Sequence, residues 1–151
     1  MELELEFAQE KRNIILSLQP EPYNKIVSGL KKHEFRRKFI NKPVDAFIYV
    51  SSPIKEIRGY IEFGNPIYDK VEKIGGIAEV EGSGTMDGMC NYMKGLEQGF
   101  AVPILSIREI EPITLSELRS KYNFTAPQSY INLESIPLLK DDLMKRLQFS
   151  I

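Results

Sequence analysis

The segment from Gly29 to Arg37 concentrates more chemically useful side chains than any other part of the sequence. It follows a G-x-K-x-x-E-x-R pattern, at a point where a predicted helix gives way to a predicted strand. Glu34 and Arg36 are two residues apart, so in a strand they share a face and can form an ion pair. Lys31 is a mobile cation suited to a phosphate or a polarised carbonyl, but it meets Glu34 only if the strand begins after Lys31. The alternative is a helix-capping glycine followed by a salt-bridged surface strand.

Tyr49 and Lys55 form a second candidate pair. If Ser51-Ser52-Pro53 is a tight turn, Val50 pairs with Ile54 and Tyr49 pairs with Lys55 across two strands. An ammonium that close favours the phenolate and would lower the tyrosine pKa from its usual value of about 10. Tyr49 would then be a general base or acid, with Lys55 stabilising negative charge on a phosphoryl group. The alternative is a tyrosine packed on a sheet beside a solvated lysine.

A third candidate lies in the loop that begins at Pro127. Gln128 is a polar side chain able to hydrogen-bond the edge of a nucleobase, and Tyr130 is able to stack on one. The alternative is a proline-ordered turn with a buried aromatic ring.

The charges are balanced in number but not in position. Twenty basic residues stand against 21 acidic ones, and a net charge of −1 argues against general nucleic-acid binding. Seven of the basic residues nevertheless fall between positions 25 and 42, where the only acid is Glu34. They are Lys25, Lys31, Lys32, Arg36, Arg37, Lys38 and Lys42. Such a stripe can steer a polyanion to one face, or the cations can simply solvate a helix and an edge strand.

The composition excludes several classes of protein. The chain of 151 residues has one cysteine and one histidine, which excludes an intramolecular disulfide framework and disfavours a zinc site. No apolar run approaches the length of a membrane span, and the acidic first six residues do not form a signal peptide. These features predict a cytoplasmic protein with no metal, no cofactor and no membrane partner.

The apolar pattern predicts an α+β fold. We expect a flexible arm over residues 1–12 and one domain over residues 13–151. Strands are predicted at about 13–18, 32–38, 45–51, 54–68 and 100–110, and helices at 20–28, 87–98, from 114 and at 138–147. A helical turn over 69–74 is expected to stop at Gly75-Gly76. Because strands and helices do not alternate regularly, a small mixed sheet or barrel is favoured over a doubly wound sheet.

Taken in order, these motifs resemble the ASCH domain family. The matching pieces are Leu16-Ser17-Leu18-Gln19-Pro20, Gly29-x-Lys31-x-x-Glu34-x-Arg36, Ile48-Tyr49-Val50-Ser51-Ser52-Pro53 and Gly59. Three later pieces are similar to one subgroup of that family: Tyr92-x-Lys94-Gly95, Gly99-Phe100-Ala101 and Pro127-Gln128-Ser129-Tyr130. The resemblance spans roughly residues 13–133. It implies a PUA-like fold, a small mixed β-barrel surrounded by short helices, with a cleft beneath the first helix.

The resemblance also implies action on RNA, as a coactivator, a modified-nucleoside hydrolase or a ribonuclease. Ribonuclease-like members use a tyrosine, a lysine and a serine, and Tyr49, Lys55 and Ser129 occupy the matching places. Acetylcytidine amidohydrolase members carry threonine where Glu34 stands, so the chain departs from that subgroup.

The leading hypothesis is therefore a metal-independent ribonuclease that acts on single-stranded RNA. Its catalytic residues would be Tyr49, Lys55, Ser129, Lys31 and Glu34, and its RNA-binding residues Arg36, Arg37, Lys32, Gln128 and Tyr130. One alternative is an RNA or modified-base binding module, such as a coactivator-like adaptor, that does no chemistry. Another is an amidohydrolase of acetylated cytidine, in which Lys31 is the nucleophile or activates one and Glu34 is its partner.

Overall fold

A computed structural model describes residues 11–150, which form seven strands and five α-helices. The strands are β1 (Arg12–Leu18), β2 (His33–Arg36), β3 (Val44–Val50), β4 (Glu56–Phe63), β5 (Ile67–Lys70), β6 (Gln98–Thr114) and β7 (Tyr130–Asn132). The helices are α1 (Pro20–Val27), α2 (Val71–Glu81), α3 (Met86–Tyr92), α4 (Leu115–Tyr122) and α5 (Pro137–Gln148), with a 3-10 turn at Leu133–Ser135. The arm predicted over residues 1–12 falls mostly outside the described residues, and β1 already includes Arg12.

One mixed sheet holds all seven of these strands. Its order is β2-β6-β4-β3-β1-β7, and β5 also pairs with β6. Among the described strands only β1 and β3 are parallel, and every other pairing is antiparallel. The sheet curls into a half-barrel, so the predicted α+β class and small mixed barrel are confirmed.

Successive side chains of each strand point to opposite faces of the sheet, and this divides the core into two layers. On β1, Ile14 and Leu16 point into the curled sheet and meet α1, whereas Ile15 points to the outer face under α4 and α5. This follows from the two-residue period of a strand, which sends successive side chains to opposite faces. A smaller third cluster packs α2 and α3 against β6.

Helix α1 lies directly on β4 because Gly59 has no side chain. A Cβ at this position would come within 2.5 Å of the Tyr23 hydroxyl oxygen. That hydroxyl donates to the Glu109 carboxylate at 3.2 Å, which anchors the helix to β6. The helix ends as predicted, with Ser28 as its C-cap and Gly29 in the left-handed region at a φ of +84°.

Four predicted elements differ from those in the structure. The strand predicted over 54–68 is two strands, β4 and β5, and the strand predicted over 100–110 extends to Gln98–Thr114. The helix predicted over 87–98 stops at Tyr92, with Gly95 at a φ of +90° before β6. The helical turn expected to stop at Gly75-Gly76 instead continues through both glycines as α2.

Candidate functional site

A cleft of about 780 Å³ opens where β1 and β3 end side by side. These strands are parallel, and their register places Ser17 next to Tyr49. The chain leaves β1 toward α1 and leaves β3 through the turn at 51–54, so both connections border the cleft. The candidate residues that line it are Lys31, Glu34, Arg36, Tyr49, Lys55 and Gln128.

Lys31 and Glu34 form a buried ion pair at the base of the signature segment. The Gly29 turn lets the Lys31 amide donate to the Lys25 carbonyl, and β2 begins only at His33. Lys31 therefore precedes the strand, which is the condition under which it can meet Glu34. Its Nζ lies 2.9 Å from Glu34 Oε1 and donates to the His33 carbonyl at 2.7 Å. The two side chains are only 9% and 6% exposed.

Arg36 extends this pair into a polar chain that crosses to the other end of the sheet. Its Nη1 lies 3.3 Å from Glu34 Oε2, and its Nη2 donates to the Ser129 hydroxyl at 2.6 Å. Two cations thus share one carboxylate, which leaves the cluster with a formal charge of +1. We call Lys31, Glu34, Arg36 and Ser129 the cationic cluster.

The loop that carries Ser129 is fixed to β1. The Ser17 amide donates to the Ser129 carbonyl at 2.9 Å, and the Ser17 hydroxyl donates to the Pro127 carbonyl at 2.6 Å. These bonds hold Ser129 beside Arg36 and place Gln128 on the wall of the cleft.

Tyr49 is packed more deeply than the sequence predicts. It is 4% exposed, and its ring lies against Phe124 with centroids 6.0 Å apart. Burial raises the pKa of Tyr49, and the nearby Arg119 guanidinium offsets part of that rise. The phenol is therefore neutral at pH 7 and keeps its proton, so the predicted lowering of its pKa is wrong.

The predicted pairing of Tyr49 with Lys55 is also wrong. The connection between Val50 and Glu56 holds five residues, Ser51 to Lys55, so Val50 pairs with Glu56 and Tyr49 pairs with Ile57. The bulge at Ile48/Tyr49 shifts only the pairs beyond Tyr49. Lys55 sits just before β4 at a φ of +54°, outside the strand pairing. Its side chain still lines the cleft, and it makes no hydrogen bond or ion pair with any residue from 11 to 150.

Two of the predicted RNA-binding residues, Arg36 and Gln128, line the cleft. Tyr130 does not, because its ring packs edge-on against Phe39 and beneath the Arg12 guanidinium.

The other two predicted RNA-binding residues lie toward α2 and α3. The Lys32 amide donates to the Glu81 carboxylate at the end of α2. Arg37 Nη1 donates to the carbonyls of Tyr92 and Lys94, at 2.8 and 3.0 Å. Arg37 thereby fixes the end of α3 rather than lining the cleft.

Tyr92 is a cleft residue that the sequence-based prediction of the site missed. It is 45% exposed, lines the cleft and donates its hydroxyl to the Phe35 carbonyl at 3.3 Å. The sequence placed it only within the helix predicted over 87–98, although Tyr92-x-Lys94-Gly95 is one of the pieces that carry the family resemblance. That motif was the feature of the sequence that could have identified Tyr92 as a site residue. Ser51 and Ser52 of the turn also line the cleft.

Residues 11–150 contain no group of three histidine, cysteine or carboxylate side chains placed to hold a metal ion. None of the helices in this range is long and apolar enough to cross a membrane.

The chain is similar to a known protein in the same family that its motifs resemble. No protein-family model matches the chain. A relative from Zymomonas mobilis, described as an ASCH domain-containing ribonuclease, is 28% identical over 123 residues, which is 80% of this chain and 83% of the relative.

The same fold is present in solved structures. The crystal structure of ASCH from Zymomonas mobilis matches with a TM-score of 0.76 and 26% identity, covering 94% of this chain and 98% of that one. A variant of that protein with a serine replaced by alanine matches with a TM-score of 0.72 and 24% identity, covering 93% and 98%. These matches confirm the predicted PUA-like barrel. Together with the ordered motifs around the cleft, they support the resemblance of this chain, in sequence and in fold, to the ASCH domain family.

Proposed function

We propose that this protein binds single-stranded RNA and cleaves it without a metal ion. The observation that carries the proposal is the cleft itself, where Lys31, Arg36 and Lys55 outnumber Glu34 beside the phenol of Tyr49. A phosphodiester is an anion whose charge redistributes toward the leaving oxygen during cleavage, and preorganised cations and donors stabilise that change. The ribonuclease description of the Zymomonas mobilis relative supports the same reaction.

The cationic cluster is suited to hold the phosphate rather than to react with it. Glu34 fixes both Lys31 and Arg36 at hydrogen-bond distance, so neither cation has to be ordered when the substrate arrives. A donor that is already oriented loses little entropy on binding. Ser129, oriented by Arg36, adds a hydroxyl at the edge of the cluster.

Tyr49 is assigned as a proton donor. In the step we propose, the ribose 2′-oxygen attacks phosphorus and the bond from phosphorus to the 5′-oxygen breaks. Water accepts the 2′-hydroxyl proton, and the departing 5′-oxygen takes the Tyr49 proton, which solvent then replaces. The products are a 2′,3′-cyclic phosphate and a 5′-hydroxyl. Burial keeps Tyr49 protonated, which favours this role over that of the base. Lys55 balances charge on the phosphorane.

Tyr92 and Gln128 are the groups on the wall of the cleft best suited to a nucleobase. Tyr92 is half exposed, so an unstacked base can lie on its ring. Gln128 carries both a donor and an acceptor for a base edge. Bases in a duplex are stacked on one another, which favours a single-stranded substrate.

The test is cleavage of a labelled single-stranded RNA in the presence of a metal chelator. Tyr49→Phe and Lys55→Ala should each slow cleavage by about 100-fold or more, because each removes a donor or charge from the reacting phosphate. Tyr68→Phe is the matched control, since Tyr68 is 48% exposed and stacks on Phe100 outside the cleft. Equal rates in the wild type and both cleft variants would remove the catalytic assignment.

The two alternative functions give different results with the same preparation. Salt-dependent RNA binding with no cleavage would indicate a binding module. The contact of 2.9 Å between Lys31 and Glu34 is the observation that favours an amidohydrolase, in which a carboxylate assists a lysine. Release of acetate from acetylcytidine, lost in Lys31→Met, would support that activity instead.

A further inference from the structure

A second cleft adjoins the first on the far side of the turn at 51–54. It has a volume of about 600 Å³ and lies over the start of α4. Its polar lining consists of Lys55, Thr114, Ser116, Arg119 and Ser120. This lining contains two cations and three hydroxyl groups, and residues 11–150 contribute no carboxylate to it.

Lys55 joins the two clefts. It lines both of them, and its carbonyl accepts a hydrogen bond of 2.9 Å from the Leu115 amide, which ties the turn to the first residue of α4. Arg119 lies one turn of α4 beyond Leu115 and lines the second cleft together with Lys55. A ligand at the cationic cluster can therefore continue past Lys55 toward Arg119 without leaving the protein surface.

Within residues 11–150, the charges of Lys55 and Arg119 are uncompensated. Neither side chain forms an ion pair or hydrogen bond with any residue in the described part of the chain. The contrast with their neighbours is clear, because Lys121 lies 2.9 Å and Arg146 lies 3.7 Å from the Glu117 carboxylate. Two like charges beside one cleft repel each other, and an anion bound between them offsets the free energy of that repulsion.

We propose that Arg119 forms a second phosphate-binding subsite beside Lys55, which contacts the reacting phosphate, so that the protein holds at least two successive phosphates of one RNA strand. The inference rests on the proposed function and deepens it, because it makes the substrate an oligonucleotide rather than a mononucleotide or dinucleotide. The cationic cluster and Tyr49 act on one phosphate, and Arg119 positions the strand through the neighbouring one. The Ser116 hydroxyl is available to the same phosphate, whereas the Ser120 hydroxyl already donates to the Glu117 carbonyl at 3.2 Å.

The test compares binding of a dinucleotide and a ten-nucleotide single-stranded RNA by fluorescence anisotropy at several salt concentrations. Arg119→Ala should weaken binding of the longer RNA about five- to tenfold and reduce its salt slope by about 0.7, the value for one lost phosphate contact. The dinucleotide should lose less than threefold. Arg119→Lys should keep most of the affinity, because it keeps the charge. Lys121→Ala, on the same helix but outside the cleft, should match the wild type.

The outcomes separate this inference from the proposed function. If the wild type binds and cleaves the longer RNA and Arg119→Ala matches it in affinity and salt slope, the second subsite is overturned and the proposed function stands. Equal losses on both RNAs would also overturn it, because they indicate a structural role for Arg119. If the wild type does not bind the longer RNA, the proposed function is wrong, and the second subsite, which rests on it, is wrong as well.

Discussion

Tyr49 shows how burial changes the role of a candidate catalytic residue. The same side chain is a base if a cation lowers its pKa and a donor if burial raises it. In this protein it is packed against Phe124 in the outer core, and its pKa is raised. The neutral phenol therefore persists through the pH range in which RNA cleavage is measured, which makes the two roles distinguishable by kinetics.

The first prediction is the pH dependence of the effect of Tyr49→Phe. Rates of the wild type and the variant should be measured between pH 7 and pH 9. If Tyr49 is a donor, the ratio of the two rates stays constant over this range, because the phenol is protonated throughout. If Tyr49 were a base, the ratio would rise about tenfold per pH unit as the phenolate forms. A rising ratio would contradict the donor role.

The sequence could predict which side chains meet within a short segment, but it could not predict the length of the turn between β3 and β4. Lys31, Glu34 and Arg36 lie within six residues, so a capping glycine and strand alternation were enough to bring them together. The link to Ser129 depends on chain 93 residues away, and only the family resemblance indicated it. The Tyr49–Lys55 pairing failed because the connection between β3 and β4 holds five residues rather than the three that were predicted, which shifts the register of the two strands.

Helix α2 is an element in which packing overrides local propensity. Two consecutive glycines predict an interruption, since glycine costs about 1 kcal/mol relative to alanine inside a helix. The helix nevertheless runs from Val71 to Glu81, with Ile74 and Ala78 buried against β6 and α3. Gly75 allows close approach of α3, because a Cβ there would lie 2.5 Å from the Met86 sulfur. Among residues 11–150, a Cβ on Gly76 would meet no atom within 4 Å apart from its chain neighbours and its own helix backbone, so close packing does not require glycine at that position.

The second prediction separates these two glycines. Gly76→Ala should raise the free energy of unfolding by about 0.5–1 kcal/mol, because it removes backbone freedom without a clash. Gly75→Ala should gain less or lose stability, because Met86 must move to admit the new methyl group. Urea unfolding followed by circular dichroism would measure both. Equal stabilisation by the two substitutions would contradict the packing argument.

At the scale of the whole molecule, the cleft lies where the two ends of the curled sheet approach each other. Among the described strands, β2 pairs only with β6, and β7 pairs only with β1. Because no backbone ladder in this part of the chain joins β2 to β7, side chains connect them. Arg36 of β2 reaches Ser129 just before β7, and Phe39 packs edge-on against Tyr130 at a centroid distance of 6.0 Å. The cationic cluster therefore occupies the opening of the half-barrel.

The sequence could predict the class of this fold but not its strand order. Irregular alternation of strands and helices indicated a mixed sheet, which is confirmed. The order β2-β6-β4-β3-β1-β7 places strands from distant parts of the chain side by side, and periodicity carries no information on such pairing. The parallel contact between β1 and β3, which brings Ser17 beside Tyr49, is of this kind.

The third prediction concerns why this opening holds buried charge. Removing one partner of a buried ion pair leaves an uncompensated charge, so Glu34→Gln should lower the free energy of unfolding by about 3 kcal/mol. Glu117→Gln breaks the exposed pair with Lys121 and should cost less than about 1 kcal/mol. Adding Lys31→Met to Glu34→Gln should recover at least about 1 kcal/mol of the free energy of unfolding, because the unpaired buried ammonium of Lys31 is then absent.

The same double variant should not recover RNA binding, because it lacks a phosphate-binding cation. Stability from urea unfolding and affinity for single-stranded RNA would then move in opposite directions between Glu34→Gln and the double variant. Such a divergence indicates that the ion pair is present to hold a phosphate and not to stabilise the half-barrel. If affinity returned together with stability, Lys31 would have no part in binding, and the cationic cluster would be a structural feature alone.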